Sequence, residues 1–99
     1  MALELFWSAC ADKKFDQIID HLLKEWGEKV TITFVKKVYE FLDVLVEFPE
    51  MGKIENKERN IRGFVIVKQI TVFYKIKRNK IILLNFFINK TSPSKKMFG

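Results

Sequence analysis

The chain has little of what small secreted, metal-bound or membrane proteins are built on: one cysteine, one histidine, two prolines and four glycines in 99 residues. A single cysteine, Cys10, excludes an internal disulfide and a thiolate metal cluster, and agrees with a reducing compartment. It reads as a small buried hydrophobe near a strand-to-helix junction. Charged residues make up 30% of the chain. They break every apolar run well short of the ~20 residues that span a bilayer. Glu4 follows Met1 too closely for a basic leader, so the expectation is a cytoplasmic protein without a membrane segment.

What is present is core-forming. Apolar residues reach 48% and aromatics 14%, with ten Phe, more than a disordered segment carries. The expectation is a single domain over residues 1–99, burying roughly 60–65% of its unfolded surface and only marginally stable alone. Charge is split along it: residues 1–52 carry six Lys or Arg against ten Asp or Glu, a net of −4, while residues 53–99 carry twelve against two, a net of +10. Such a split points to an anionic or acidic partner facing the second half.

Leu3 to Trp7 reads as a short strand, with Ser8 able to cap a helix that follows. Phe15, Ile18, Ile19, Leu22 and Trp26 then fall on one helical stripe, and Gly27 ends the helix. The β-branched run Val30-Thr31-Ile32-Thr33-Phe34-Val35 taken alone suggests a strand. The longer spacing Val30, Phe34, Val38, Phe41, Leu42 and Leu45 instead predicts a second helix, ending near Phe48. Pro49 and Gly52 make a turn, and residues 53–60, with one apolar residue, read as a solvated loop.

Phe64–Lys68, Ile70–Lys77 and Ile81–Ile88 read as three strands, joined at Lys68-Gln69 and by a two-residue turn at Arg78-Asn79. The prediction is an α+β fold: an N-terminal strand, a helical hairpin and a three-stranded antiparallel meander, in the order β-α-α-β-β-β, with an irregular tail over about 91–99. Alternation puts Ile70, Val72, Tyr74 and Ile76 on one face of the middle strand and Thr71, Phe73, Lys75 and Lys77 on the other. Tyr74 therefore reads as a core ring whose hydroxyl reaches a partner. His21 falls on the polar side of the first helix and reads as a solvated residue.

Trp26-Gly27, Leu45 with Pro49 and Gly52, Ile61-Arg62-Gly63-Phe64, Phe73-Tyr74-Lys75-Ile76 and the Phe86-Phe87 to Pro93 ending, in that order, resemble the RelE/ParE superfamily of bacterial toxin–antitoxin toxins. The resemblance covers nearly the whole chain. It implies the toxin of a type II pair, held inactive by a cognate antitoxin. One branch of the superfamily cuts messenger RNA on the ribosome with Arg, Lys and Tyr or His on the exposed sheet face. The other, ParE, poisons DNA gyrase without catalytic residues of its own.

Where the ribonuclease branch has an Arg at the start of its third strand, this chain has Ile70-Thr71, and its tail has neither Tyr nor His. Many relatives end in Asp-x-Arg where this chain has Ile88-Asn89-Lys90. Lysine keeps the charge but loses the bidentate fork of arginine. The resemblance thus leans to a ParE-like inhibitor of gyrase or another topoisomerase, not an enzyme, with a ribosome-dependent endoribonuclease as the alternative. No cofactor or metal is implied. Arg62, Lys68, Lys75 and Lys90 are the candidates to converge on one sheet face and contact target or antitoxin, so that Arg62→Glu with Lys68→Glu would leave the fold intact.

Overall fold

The computed structural model describes residues 3–67 and 70–88. Within them the chain runs through β1 (Glu4–Trp7), α1 (Ala9–Trp26), α2 (Glu28–Leu45), a 3₁₀ turn (Pro49–Met51), β2 (Lys53–Asn56), β3 (Ile61–Val67), β4 (Ile70–Lys77) and β5 (Lys80–Ile88). The strands make one sheet in the order β1-β5-β4-β3-β2.

Ser8 starts α1. Its Oγ accepts the Ala11 amide at 3.0 Å and donates to the Leu84 carbonyl at 3.1 Å, so one side chain caps the helix and ties it to β5. Ala11, Phe15, Ile18 and Leu22 then bury one stripe of the helix. Gly27, at φ 88°, ends α1 and begins α2 without an intervening linker. A Cβ there would meet nothing within 4 Å, so the backbone conformation, not space, favours glycine. Thr31, Phe34, Val38, Phe41, Leu42 and Leu45 form the buried stripe of α2. The β-branched start of this helix is thus overridden by its longer periodicity, and Thr31 returns its hydroxyl to the Gly27 carbonyl at 2.8 Å.

β3, β4 and β5 form the antiparallel meander, with Lys77 opposite Lys80 across a turn in which Arg78 takes φ 58°. β1 adds in parallel to β5, from Glu4 opposite Lys80 to Trp7 opposite Leu83. Both helices lie on one face of the sheet. Phe15 is the hub on the α1 side, with ring centroids 5.2 Å from Trp7, 5.8 Å from Phe34 and 5.3 Å from Phe86. On the α2 side Phe41 stacks on Phe64 of β3 at 4.5 Å.

Three expectations are corrected. Residues 53–60 are not all loop, because Lys53–Asn56 pairs with β3 as a fifth, edge strand whose side chains are all exposed. The second helix stops at Leu45, three residues before Phe48. Cys10 is exposed, since a helix that buries Ala11 and Phe15 turns position 10 outward, and its Sγ donates to Asn85 Oδ1 at 3.6 Å. The Lys68-Gln69 junction and the tail from Asn89 onward lie outside the described residues.

Candidate partner-binding surface

Cross-strand partners share a face, so the register sorts every strand residue into helix-facing or outer. Tyr74 pairs with Arg62 on β3 and Leu83 on β5, and Val72 pairs with Phe64 and Phe86; these face the helices. Lys75 pairs with Ile61 and Ile82, and Ile82 with Phe6; these face outward. Arg62 and Lys75 therefore do not converge. Lys68 and Lys90, the other two cations expected on that face, lie outside the described residues.

Arg62 and Tyr74 instead build a clamp around the turn after α2. Arg62 Nη1 donates to the carbonyls of Glu50 at 3.1 Å and Gly52 at 2.8 Å. The Tyr74 hydroxyl donates to the Pro49 carbonyl at 2.8 Å and accepts the Gly52 amide at 2.9 Å. Gly52 is required by close approach: a Cβ on it would lie 2.5 Å from Tyr74 Oη and 3.0 Å from the Gly63 carbonyl oxygen. Burial pushes the Tyr74 phenol above its ordinary pKa of 10.0; the Gly52 hydrogen bond and the nearby Arg62 charge pull the other way. The expected core reading of Tyr74 holds, with both hydroxyl partners in the turn. Arg62 Nε is buried without a protein partner among the described residues. An Arg62→Glu change would thus break the turn, contrary to the expectation of an intact fold.

The outer face is apolar, with lysines around and between its hydrophobic side chains. Lys80 Nζ sits 5.1 Å over the ring of Phe6, itself 44% exposed. Phe73 lies across Gly63, where a Cβ would stand 3.0 Å from the ring, and meets Phe87 edge-on at 6.5 Å. Val65 and Phe87 are 57% and 52% exposed. A shallow depression of about 550 Å³ opens here, reached by Lys53, Gly63, Val65, Thr71, Phe73 and Phe87. Lys53, Lys75, Lys77 and Lys80 outnumber Glu4 and Glu55 on this face. The alternation of Thr71, Phe73, Lys75 and Lys77 signals it in the sequence; Phe6 and Gly63 join only through strand pairing.

Among the described residues no group of three or more His, Cys, Asp or Glu could hold a metal ion, and no helix is long and apolar enough to cross a membrane. The surface combines exposed aromatic and aliphatic area with surrounding lysines.

The helical hairpin thus packs on one side of the sheet and leaves exposed aromatic side chains and lysines on the other. A family model for the ParE toxin of the type II toxin–antitoxin system, parDE, matches residues 5–91, and the chain belongs to that family. The fold agrees. A chain of the chromosomal ParDE toxin–antitoxin system from P. aeruginosa superposes with a TM-score of 0.74 at 16% identity, covering 90% of this chain and 98% of that one. A YoeB/ParE toxin from Agrobacterium tumefaciens gives 0.63 at 9% identity over 87% of this chain and 98% of its own. A copper-bound mutant toxin from Helicobacter pylori gives 0.55 at 19% identity, over 87% and 93%. No curated protein matches the chain in sequence.

Proposed function

We propose that this ParE-family toxin is a cytoplasmic growth inhibitor that binds DNA gyrase or a related topoisomerase and is neutralised by a cognate antitoxin covering the outer sheet face. The observation that carries this reading is the commitment of Tyr74. Cutting RNA without a metal requires a base for the 2′-hydroxyl, cations for the phosphate and an acid for the leaving oxygen. Tyr74, the tyrosine of the strands, has its hydroxyl buried and bonded at both ends to the Pro49–Gly52 turn. Arg62 is likewise spent on backbone carbonyls. What remains is charge and apolar area, the chemistry of docking. An acidic segment that folds onto Phe6, Phe73 and Phe87 would pair with Lys53, Lys75, Lys77 and Lys80 as it covers the rings.

The second reading is a ribosome-dependent messenger RNA endoribonuclease, favoured by those same lysines, which attract phosphate. Purified toxin added to a gyrase supercoiling assay and, separately, to a cell-free translation extract distinguishes the two. Inhibited supercoiling with intact message is the expected result; cleaved message with unaffected gyrase assigns the ribonuclease activity instead.

A further inference from the structure

Strand β2 covers only part of the edge it pairs with. Its register runs from Lys53 opposite Gly63 to Asn56 opposite Ile61, while β3 continues to Val67. Phe64, Val65, Ile66 and Val67 therefore have β4 on one side and no described strand on the other. The chain that could have lengthened β2 leaves the sheet instead, because the Gly52 amide is held by Tyr74 and the residues before it form the 3₁₀ turn. An uncovered edge presents unpaired amides and carbonyls, and folds blunt such edges with charge or proline. β2 follows that rule, with Lys53 and Glu55 among its four exposed side chains. Phe64–Val67 does not. All four residues are apolar, three are β-branched, and Val65 is 57% exposed.

A depression lies on each side of this edge. The outer one, of about 550 Å³, is reached by Lys53, Val65 and Phe73. The inner one, of about 270 Å³, separates α2 from β3, with Phe41, Val44 and Ile66 along it. Met51 and Phe64 line both, so the two meet at the edge. Val65, opposite Thr71, faces the outer side; Phe64, opposite Val72, faces the inner. Ile66, where the register with β4 shifts, also lines the inner groove. Side chains alternate along a strand, so an extended segment laid on Phe64–Val67 sends them by turns into the two depressions.

The charges select what that segment carries. The inner groove has one lysine and one glutamate, Lys37 and Glu40, and so takes apolar side chains without preference of sign. On the outer side the added strand continues the line of β2 and meets Lys53 first, on a face where Lys75, Lys77 and Lys80 outnumber Glu4 and Glu55. A carboxylate is matched there.

We propose that the uncovered edge of β3, Phe64–Val67, takes an extended segment of the antitoxin as a sixth strand, with apolar side chains in the α2–β3 groove and an acidic one beside Lys53. This rests on the reading that an acidic antitoxin covers the outer sheet face, and it states the form the antitoxin takes where it crosses the sheet's edge. β1 and β2, each four residues long, show that so short a pairing suffices in this sheet.

The test uses the full chain and the antitoxin encoded beside it. Hydrogen exchange reads the edge directly: the amides of Phe64–Val67 that do not bond β4 should exchange fast in the free toxin and slow by about tenfold or more when antitoxin binds. Val65→Asp at the exposed outer position and Val44→Lys on the exposed groove wall should each lower antitoxin affinity by about tenfold or more, with thermal melts close to that of the unaltered chain. The two lie on different elements, so misfolding of one leaves the other to decide. Bound antitoxin that leaves the edge amides fast overturns the proposal even if Val44→Lys weakens it, because a helix lying in the groove pairs no amide. Full affinity in both folded variants overturns it too. Edge amides already slow in the free toxin do the same: dependence on concentration gives the edge to a second copy, and independence gives it to this chain's own residues. Affinity lost to Lys75→Glu with Lys77→Glu but kept in both edge variants rejects the sixth strand and leaves the outer-face reading standing. If the chain binds no neighbouring antitoxin, both readings fall together.

Discussion

Arg62 and Lys75 carry the same charge on neighbouring strands, with Arg62 opposite Tyr74 and Lys75 the next residue along, yet they do different work. Arg62 turns toward the helices and is consumed by two backbone carbonyls. Lys75 turns outward among Ile61 and Ile82, on the face away from the helices. Pleat parity, not charge, decides which cation is structural and which is available. Counting basic residues along this segment therefore overstates the working surface.

Equivalent charge reversals on the two faces are the strongest way to break this contrast. Arg62→Glu removes both guanidinium hydrogen bonds and sets a carboxylate against the Glu50 and Gly52 carbonyl oxygens, an expected loss of about 3–5 kcal/mol in urea unfolding. A stable Arg62→Glu protein would show that the clamp is dispensable.

Tyr74→Phe probes the same clamp more gently. It leaves the Gly52 amide and Pro49 carbonyl unpartnered and should cost about 1–3 kcal/mol. It should also change the alkaline limb of stability. Because burial raises the Tyr74 pKa above 10.0, the folded state holds this proton more tightly than the unfolded chain. Stability from this group is thus complete below pH 10.0 and declines as pH rises toward and through the folded pKa. The slope reaches at most about 1.4 kcal/mol per pH unit. Unfolding curves between pH 9 and 11 should show that decline in the parent and its absence in Tyr74→Phe.

The smallest effect belongs to the outer face. Lys75→Glu with Lys77→Glu should move stability by no more than about 0.5 kcal/mol. A large loss in thermal melts would mean that these lysines, like Arg62, are tied into the fold.

The helices were legible because each buries one stripe at three- and four-residue steps, and Gly27 marks their junction. Strand β4 is legible from alternation, β5 from a run that is apolar on both faces, and their junction from the Arg78-Asn79 turn. β2 was not, because all four of its side chains are exposed and no apolar period exists to read; backbone pairing with β3 alone makes it a strand. The orientation of Arg62 was missed for a related reason. With β3 taken to start at Phe64, Arg62 seemed to precede the strand. Pairing extends back to Ile61, and Arg62, two residues before inward-facing Phe64, must face inward too. Lys75 was placed correctly from the alternation of its own strand.

The parallel pairing of β1 with β5 also sets a timetable. Ser8 donates its hydroxyl hydrogen to Leu84, 76 residues later. On a ribosome adding about 5–20 residues per second, the first strand waits several seconds for its partner. The helical hairpin, made of local contacts and capped by Ser8 at its own Ala11 amide, can form ahead of it, while β1 has no strand to pair with. For that interval the nascent toxin is an unclosed sheet, and whatever binds it first meets the molecule before its final edge is in place.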